Sequence, residues 1–379
     1  MSPRRFLLSV LLASQPIGLA AQTTVPIGRP NLEYPEAFSS ITGVRELADG
    51  RVIVADSRER TLQLIDLRTG AVKAIGREGR GPGEFLAIIG LLPQPGDQTL
   101  LIDAGNRRCL RLGADGSVVE TLGLPRLSSP SSQQAGAPPA APISSLALLP
   151  PRGTDDRGRL YFEPFSMRPS AAPGGDSTVI LRWTPGQVGV DSVGWVRAPI
   201  PAVVWAPAES WQVAPDGRII VAKPAPYRIE VMGRTGQTTQ GPVVPYTPIR
   251  IPEAERKERQ DQRDAEMAQT MQMAGTQAGR SGGNAPPAPK LADLVFAEAK
   301  PPFDGGSVVA VAPDGQIWVE RTRAWGDSIP VFDVFDPAGK LQRRVALPKG
   351  SRLLSFGRGT VYLSRKDEDD LEYLQRYAR

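Results

Sequence analysis

The residues best suited to chemistry are charged side chains that each close a short run of mostly apolar residues. Six such runs occur, and four of them end in a carboxylate: Asp56, Asp103, Glu163 and Glu320. If the runs are equivalent strands of a repeat, their ends lie on one side of the molecule. Four carboxylates there would form an oxygen-ligand site suited to Ca²⁺. The other two runs end in Lys223 and Arg365, which would neutralise part of the field that a cation needs.

An alternative role for the same carboxylates is local. An aspartate at the end of a strand can accept hydrogen bonds from the backbone amides of the turn that follows. Asp103 would do so and would also pair with Arg108. We favour this interpretation and expect no cofactor, with Ca²⁺ as the alternative.

Tryptophan supplies the second set of candidates. Trp183 and Trp318 lie inside predicted strands, where packing between sheets accounts for them. Trp205 and Trp325 lie in or near connections, within PAVVWAPAES and RTRAWGDS. An indole in a connection offers a large contact area and one hydrogen-bond donor. We therefore predict that Trp205 and Trp325 contact a ligand or partner.

Composition excludes several mechanisms. The chain contains no histidine and a single cysteine, Cys109, which removes imidazole catalysis, intramolecular disulfides and cysteine zinc sites. No GxSxG nucleophile motif occurs. The stretch GREGRGPGEF (76–85) matches neither the GxGxxG nor the P-loop pattern. The 45 basic and 40 acidic residues are scattered, which argues against a nucleic-acid surface.

The six runs themselves reveal a repeat. Each follows a glycine or a glycine-like break that permits a tight hairpin turn, and each precedes a second strand. They are DGRVIVAD (49–56), GDQTLLID (96–103), RGRLYFEP (157–164), DGRIIVAK (216–223), DGQIWVER (314–321) and RGTVYLSR (358–365). With the strand before each turn and a third strand after the second, each unit holds four strands.

Four-stranded antiparallel sheets repeated around a channel form a β-propeller. The sequence thus predicts an all-β fold, a six-bladed β-propeller, spanning residues 22–379. The last unit has only three strands before Arg379, so we expect Thr23–Gly28 to supply the fourth. Closing the ring in this way would remove free sheet edges.

Three segments lie outside the repeat. Residues 1–21 have two arginines, a short apolar run and small residues near Ala20, which is typical of a cleaved signal peptide. Residues 127–142 are rich in Pro, Ser and Ala and are expected to form a loop. Residues 252–290 precede the fifth blade; the charged stretch Pro252–Met273 predicts a helix and a Gly/Pro-rich linker follows it.

The segment Val54–Phe85 resembles the NHL-type, TolB-like six-bladed propellers, in particular a bacterial group of exported members. In that group a strand ending in Asp is followed by Asn and Arg, and Asp103, Asn106 and Arg108 match this spacing. The GPGEF ending and the tail Asp367–Tyr377 are also similar to the group. The resemblance implies a fold and only weakly a function, because propellers host many unrelated activities.

Together these features predict an exported, periplasmic or extracellular protein that binds a protein, peptide or glycan. We expect a monomer with no membrane span after signal cleavage and no nucleic-acid partner. The alternative function is a carboxylate-ligated, divalent-metal lactonase or related hydrolase. A third possibility is a scaffold that pairs with one partner through Pro252–Met273.

Overall fold

The hairpin turns predicted from the sequence fold as expected. Gly50 has a φ of +88°, a conformation that glycine adopts readily. The carboxylate of Asp49 accepts a hydrogen bond from the amide of Arg51 at 3.0 Å, which fixes the same turn. The apolar run then continues as the strand Val52–Asp56, in which every residue is buried. A strand buried on both faces belongs in the middle of stacked sheets.

The computed structural model describes residues 23–124, 150–164, 177–187, 189–197, 203–280, 293–305 and 308–379, with the backbone alone for 270–280. The predicted signal peptide and the loop predicted for 127–142 lie outside these residues. Among the residues described, no helix has the length and apolar character needed to cross a membrane.

The first half of the chain forms two short strands and three sheets. The short strands are β1 (Thr24–Pro26) and β2 (Leu32–Glu33). Blade 1 contains β3 (Ile41–Glu46), β4 (Val52–Asp56), β5 (Thr61–Asp66) and β6 (Ala71–Ala74). The parallel pair β7 (Arg77–Glu78) and β8 (Glu84–Phe85) links it to the next sheet. Blade 2 contains β9 (Ile88–Gln94), β10 (Gln98–Asp103), β11 (Arg108–Leu112) and β12 (Val118–Gly123). Blade 3 contains β13 (Gly153–Thr154), β14 (Leu160–Phe162), β15 (Ser177–Trp183) and β16 (Asp191–Arg197).

The second half adds three sheets and the helix. After β17 (Val203–Val204), blade 4 contains β18 (Ser210–Val213), β19 (Ile219–Pro224), β20 (Tyr227–Met232) and β21 (Thr238–Gln240). Next come β22 (Ile249–Arg250), α1 (Glu253–Arg280), β23 (Val295–Phe296) and β24 (Ala299–Lys300). Blade 5 contains β25 (Val309–Val311), β26 (Ile317–Glu320), β27 (Val331–Phe335) and β28 (Leu341–Ala346). Blade 6 contains β29 (Ser351–Phe356), β30 (Thr360–Lys366) and β31 (Glu372–Ala378).

The hydrophobic core is divided among the spaces between neighbouring blades. One cluster of described residues joins blades 1 and 2 and includes Ile53, Phe85 and Leu101. Corresponding clusters join blades 2 and 3, 3 and 4, 4 and 5, and 5 and 6. A sixth cluster packs Tyr362 and Leu374 of blade 6 against Val54 and other residues of blade 1. Because the last blade packs on the first, the six sheets form a closed ring, which confirms the predicted six-bladed β-propeller.

The N-terminal residues close the ring, but the predicted strand was assigned to the wrong blade. Thr24–Pro26 (β1) pairs in parallel with β28 and becomes a fifth strand of blade 5. The fourth strand of blade 6 is Leu32–Glu33 (β2), which pairs antiparallel with β31. Between β1 and β2, Gly28 has a φ of +97°, which breaks the extended conformation as the chain passes from one blade to the next.

The stretch GREGRGPGEF connects blades 1 and 2, as its sequence predicted. Glu84 fixes the loop by accepting hydrogen bonds from the amide of Gly81 at 2.7 Å and from Arg77 Nε at 2.8 Å. Phe85 is buried in the cluster between the two blades. The glycines therefore permit the sharp turns of this connection.

Candidate functional site

One face of the ring carries most of the irregular backbone. Strands alternate in direction within each blade, so the end of the second strand, the start of the third and the connection between blades all lie on the same face. We call this the upper face. The four predicted carboxylates follow or end the second strands and therefore lie on it, as does the helical insertion between blades 4 and 5.

The insertion is fixed to the upper face at its two ends. Strands β22 and β24 pair antiparallel, with Ile249 opposite Lys300 and Arg250 opposite Ala299. Strand β23 pairs in parallel with β17, the connection that leads into blade 4. The chain thus leaves and rejoins the propeller at one point. We call the first turns of α1, residues 253–262, together with residues 293–300 the cap.

A cavity of about 640 Å³ lies between the cap and the propeller. Its walls come from α1, from Trp205, from the lead-in to blade 5 and from the loop Glu320–Ser328 between β26 and β27. This volume is within the range of ordinary small-ligand sites, roughly 300 to 1,000 Å³. We refer to the cavity as the cap pocket.

A buried lysine anchors the cap at the base of this pocket. Lys300 is only 3% exposed, and its Nζ donates hydrogen bonds to Glu255 Oε1 at 2.5 Å and to the carbonyl of Arg323 at 2.9 Å. The same ammonium lies 4.7 Å from the centroid of the Trp205 ring. An ammonium that is buried in this way requires both a counter-charge and hydrogen-bond acceptors, and here it has both.

Trp205 is the surface on which the cap rests. Its indole is 7% exposed, and Arg259 of α1 lies 5.5 Å from its centroid on the cap side. Phe296 of β23 packs against it with ring centroids 5.9 Å apart. Trp205 also has a φ of +58°, which is uncommon for any residue other than glycine. Backbone strain of this kind persists where surrounding packing over-determines it.

Trp325 also lines the pocket and is far more accessible than Trp205. Half of its surface is exposed, and its Nε1 donates a hydrogen bond to Glu258 Oε2 of α1 at 2.9 Å. Because this bond uses the only polar atom of the indole, it holds the ring in place and leaves its faces for contact. The structure therefore brings Trp205 and Trp325 together at one pocket, with the first as a support and the second as an open surface.

Glu320 is the one predicted carboxylate that lines the cap pocket. Burial raises the pKa of its side chain, and the guanidinium of Arg323, 3.9 Å away, offsets part of that effect. Burial disfavours the charged form of a carboxyl group.

The other three predicted carboxylates are engaged by nearby amides and side chains of their own blade, an adjoining connection or the next blade. Asp56 accepts hydrogen bonds from the amides of Ser39 and Ser40 and from two amides of the turn that follows it. Glu163 pairs with Arg152 at 2.9 Å and accepts a hydrogen bond from Trp211 Nε1.

Asp103 makes the largest set of contacts with the turns around it. It is fully buried, and its Oδ1 accepts hydrogen bonds from the amides of Leu86, Ala87 and Asn106 at 3.1 to 3.3 Å. Its Oδ2 accepts another from Asn106 Nδ2 at 2.6 Å and lies 3.6 Å from Arg108 Nε. The predicted contacts of Asp103 with backbone amides and with Arg108 are confirmed.

The carboxylates do not converge on one point. Within the described part of the chain, no group of three or more His, Cys, Asp or Glu side chains is placed to hold a metal ion. Lys223 and Arg365 are also paired locally, with Glu209 at 2.7 Å and Glu33 at 3.1 Å. The carboxylates at the strand ends therefore make separate local contacts, except that Glu320 lines the cap pocket.

The single cysteine does not line the cap pocket. Cys109 is fully buried in the cluster between blades 2 and 3. Burial, with a smaller contribution from Asp103, raises the pKa of its thiol to about 12. A thiol in that state is a poor nucleophile.

The sequence pointed to both connection tryptophans and to Glu320 but not to the other charged residues of the pocket. Glu255 and Lys300 are 45 residues apart and meet only because β22 and β24 pair. An acidic residue in the first turn of a predicted helix was visible in the sequence, but its partner was not.

Comparison with known proteins does not assign the site. No family model and no curated protein matches the chain. Similar solved structures include a DUF4221 family member from Bacteroides vulgatus, 10% identical, with a TM-score of 0.47 over 93% of this chain and 96% of that one. A gluconolactonase from Xanthomonas campestris is 13% identical, with a TM-score of 0.42 over 91% of each chain. Virginiamycin B lyase from Staphylococcus aureus is 11% identical, with a TM-score of 0.37 over 92% of this chain and 87% of that one.

These likenesses concern architecture alone. The fold is that of a six-bladed β-propeller. Only the residues of the cap pocket itself bear on what the pocket binds.

Proposed function

We propose that this protein is an exported binding propeller of the NHL-type, TolB-like kind, and that the cap pocket is its ligand site. The observation that carries the proposal is the position of Trp325. A half-exposed indole, fixed by its hydrogen bond to Glu258, faces a cavity of about 640 Å³ beneath an inserted helix. A large aromatic surface held rigid at a pocket reduces the entropy lost when a ligand binds. The ligand is a protein, peptide or glycan.

A comparison of two tryptophans tests the site. Trp195 on the outer strand β16 is 51% exposed, almost the same as Trp325 at 50%, but it does not line the pocket. Immobilised protein is incubated with extract of the native cell envelope, and the retained material is compared by mass spectrometry. We expect Trp325→Ala to lose a component that the parent and Trp195→Ala retain. Equal retention by all three proteins would exclude the pocket as the ligand site.

The pairing of β22 with β24 offers a second test. Arg250 and Ala299 are register partners, so an Asn-Gly turn can join them directly and remove the cap. The capless protein should keep the six blades, with strand content unchanged in circular dichroism, and should fail to retain the component. A capless protein that binds normally would show that the ligand site lies elsewhere.

Export is tested separately. The pattern of residues 1–21 supports cleavage after about Ala20 or Ala21. Mass spectrometry of the protein isolated from the native cell should give a mature chain that starts at residue 21 or 22. Recovery of the full chain from the cytoplasm would contradict export.

A further inference from the structure

The first turns of α1 cover the cap pocket without joining the hydrophobic core. Three of their charged residues, Glu255, Glu258 and Arg259, line the pocket. Among the α1 residues whose side chains are described, none belongs to any of the six hydrophobic clusters. Elements with few buried apolar contacts open locally at a lower free energy than the core does. These turns are therefore the part of the pocket wall that we expect to move.

One contact of these turns is buried. Glu255 Oε1 accepts a hydrogen bond from Lys300 Nζ at 2.5 Å, and the two residues are 8% and 3% exposed. Lys300 is held in place by the pairing of β22 with β24 and by its hydrogen bond to the carbonyl of Arg323. Burial limits the screening of this pair by salt. Because Glu255 lies in the first turn of α1, the pair can act as a hinge.

The contacts one turn further along α1 are exposed. Glu258 Oε2 accepts the hydrogen bond from Trp325 Nε1 at 2.9 Å, and the guanidinium of Arg259 lies 5.5 Å from the ring centroid of Trp205. Glu258 and Arg259 are both exposed. Contacts of exposed charged groups are individually weak, and salt screens them. Since Trp325 belongs to the loop between β26 and β27, its bond to Glu258 joins two walls of the pocket.

Residues 293–300 contact the same turns in a similar way. Gln260 Oε1 accepts a hydrogen bond from the amide of Leu294 at 2.8 Å, and the guanidinium of Arg256 lies 5.1 Å from the ring centroid of Phe296. These are again a hydrogen bond and a cation–π contact. Little apolar packing therefore opposes a movement of the helix about the hinge.

From these contacts we propose that the first turns of α1 form a lid over the cap pocket. The lid pivots at the pair of Glu255 and Lys300, and the hydrogen bond between Glu258 and Trp325 is the latch that keeps it closed. Salt shifts the equilibrium towards the open form, because it screens the exposed contacts more than the buried pair. That the lid admits a ligand rests on the proposed function, whereas the movement itself does not.

The distance between two spin labels, measured by double electron–electron resonance, tests the lid. Cys109 is fully buried, so labels can be attached selectively to introduced cysteines. One label is placed through Gln269→Cys on α1 and the other through Lys349→Cys between blades 5 and 6, both at exposed positions. At about 0.1 M salt, where the screening length is about 10 Å, we expect one main distance. At about 1 M salt, where it is about 3 Å, a second distance should gain population.

Two variants address the latch separately from the salt. Glu258→Ala removes the acceptor, and Trp325→Phe removes the donor but keeps an aromatic ring. At about 0.1 M salt, each should raise the population of the second distance about threefold or more. Lys257→Ala is the matched control, because Lys257 is exposed in the same turn and pairs with Asp261 of α1 itself at 2.6 Å. The control should leave the distances unchanged.

A second pair of labels distinguishes a moving helix from an unfolding one. Labels introduced through Glu253→Cys and Gln269→Cys lie 16 residues apart on α1, which corresponds to about 24 Å along a helix. This distance should stay the same in high salt and in both latch variants, and its loss would show that the helix unfolds and that no lid exists. The inference is also wrong if the distance to residue 349 is unaffected by salt and by both variants, or if Lys257→Ala changes it equally. Envelope material retained equally by Trp325→Ala would defeat the proposed function and leave the lid standing, because no ligand enters these distance measurements.

Discussion

At the scale of single residues, the buried carboxylates show how a side chain that looks catalytic can be structural. Asp103 and Asp56 follow the same pattern, in which a carboxylate at the end of a strand gathers the amides of the adjoining turns. Each oxygen is satisfied by the protein, so little remains for a metal or a substrate. Glu320 differs because its side chain reaches the cap pocket.

Replacement of Asp103 by alanine tests this structural role. The change leaves three half-buried amides without their acceptor, and we expect it to lower the free energy of unfolding by about 3 kcal/mol. Urea unfolding measures the loss. Asp115→Ala in the same blade is the matched control, because Asp115 is exposed and its carboxylate accepts hydrogen bonds from Ser117 in its own turn. A loss as small as that of the control would show that Asp103 does not hold the turn.

The raised pKa of Glu320 gives a stability prediction with a definite sign. Because burial raises its pKa, the folded protein binds more protons than the unfolded chain between the ordinary pKa, 4.5, and the raised value. Stability contributed by this group is therefore greatest at low pH and falls as the pH rises through that interval. Glu320→Gln should melt slightly higher than the parent at pH 7, and the difference should shrink towards pH 4. An equal difference at both pH values would mean that the carboxyl does not titrate with a raised pKa.

The sequence predicted the environment of Asp103 but not that of Lys300, for a physical reason. The partners of Asp103 lie within 17 residues along the chain, in turns whose geometry follows from local residue types. Lys300 meets Glu255 across 45 residues, through a ladder of only two residue pairs. Local propensity carries little information about such a contact.

At the scale of elements, the N-terminal strands and the cap are the two additions to a regular repeat. The propeller was predictable because six hairpin turns recur with the same chemistry. The assignment of the closing strand was not, because TTVPIG and NLEYP are both extended and only packing decides which blade each joins. Tyr34, which is 5% exposed and packs between blades 6 and 1, fixes the position of β2.

Two truncations compare these strands. Removal of residues up to Arg29 deletes β1, whose three residues are all exposed, and should cost about 1 kcal/mol through lost backbone hydrogen bonds. Removal up to Pro35 also deletes β2 and Tyr34, and should cost at least about 3 kcal/mol more. Thermal unfolding of the two shortened proteins measures the difference. Equal melting temperatures would show that β2 does not close blade 6.

The ion pair between Lys300 and Glu255 predicts how the cap is held. Lys300→Met leaves a buried carboxylate without its cation, a loss of about 3 kcal/mol. This corresponds to roughly 100-fold faster hydrogen exchange in the first turns of α1. The double replacement of Glu255 and Lys300 by methionine removes both charges and should restore slow exchange. If the single and double variants exchange alike, the pair does not fix the cap.

At the scale of the whole molecule, six interfaces of similar kind hold six similar sheets. Each cluster packs one pair of neighbouring blades, so stability is spread around the ring. Among the residues described, no group of carboxylates is placed to hold a metal ion between blades.

Removal of metal ions tests that view for the whole molecule. Because three of the four predicted carboxylates are satisfied by amides and other side chains, we expect the melting temperature to be the same with and without a chelator such as EDTA. Addition of Ca²⁺ should also have no effect. A melting temperature that falls with EDTA and recovers with Ca²⁺ would instead support the carboxylate-ligated hydrolase considered from the sequence.

The pairing of β2 with β31 joins the two ends of the described chain within one sheet. Blade 6 therefore has no privileged position as the last blade, and the peptide backbone could be opened between any two blades once the native ends are linked. The order of the blades along the sequence is one of six circular permutations of the same ring. A circularly permuted protein that begins at Gly350, before blade 6, and ends at Lys349, after blade 5, should recover the same ring and the same cap pocket.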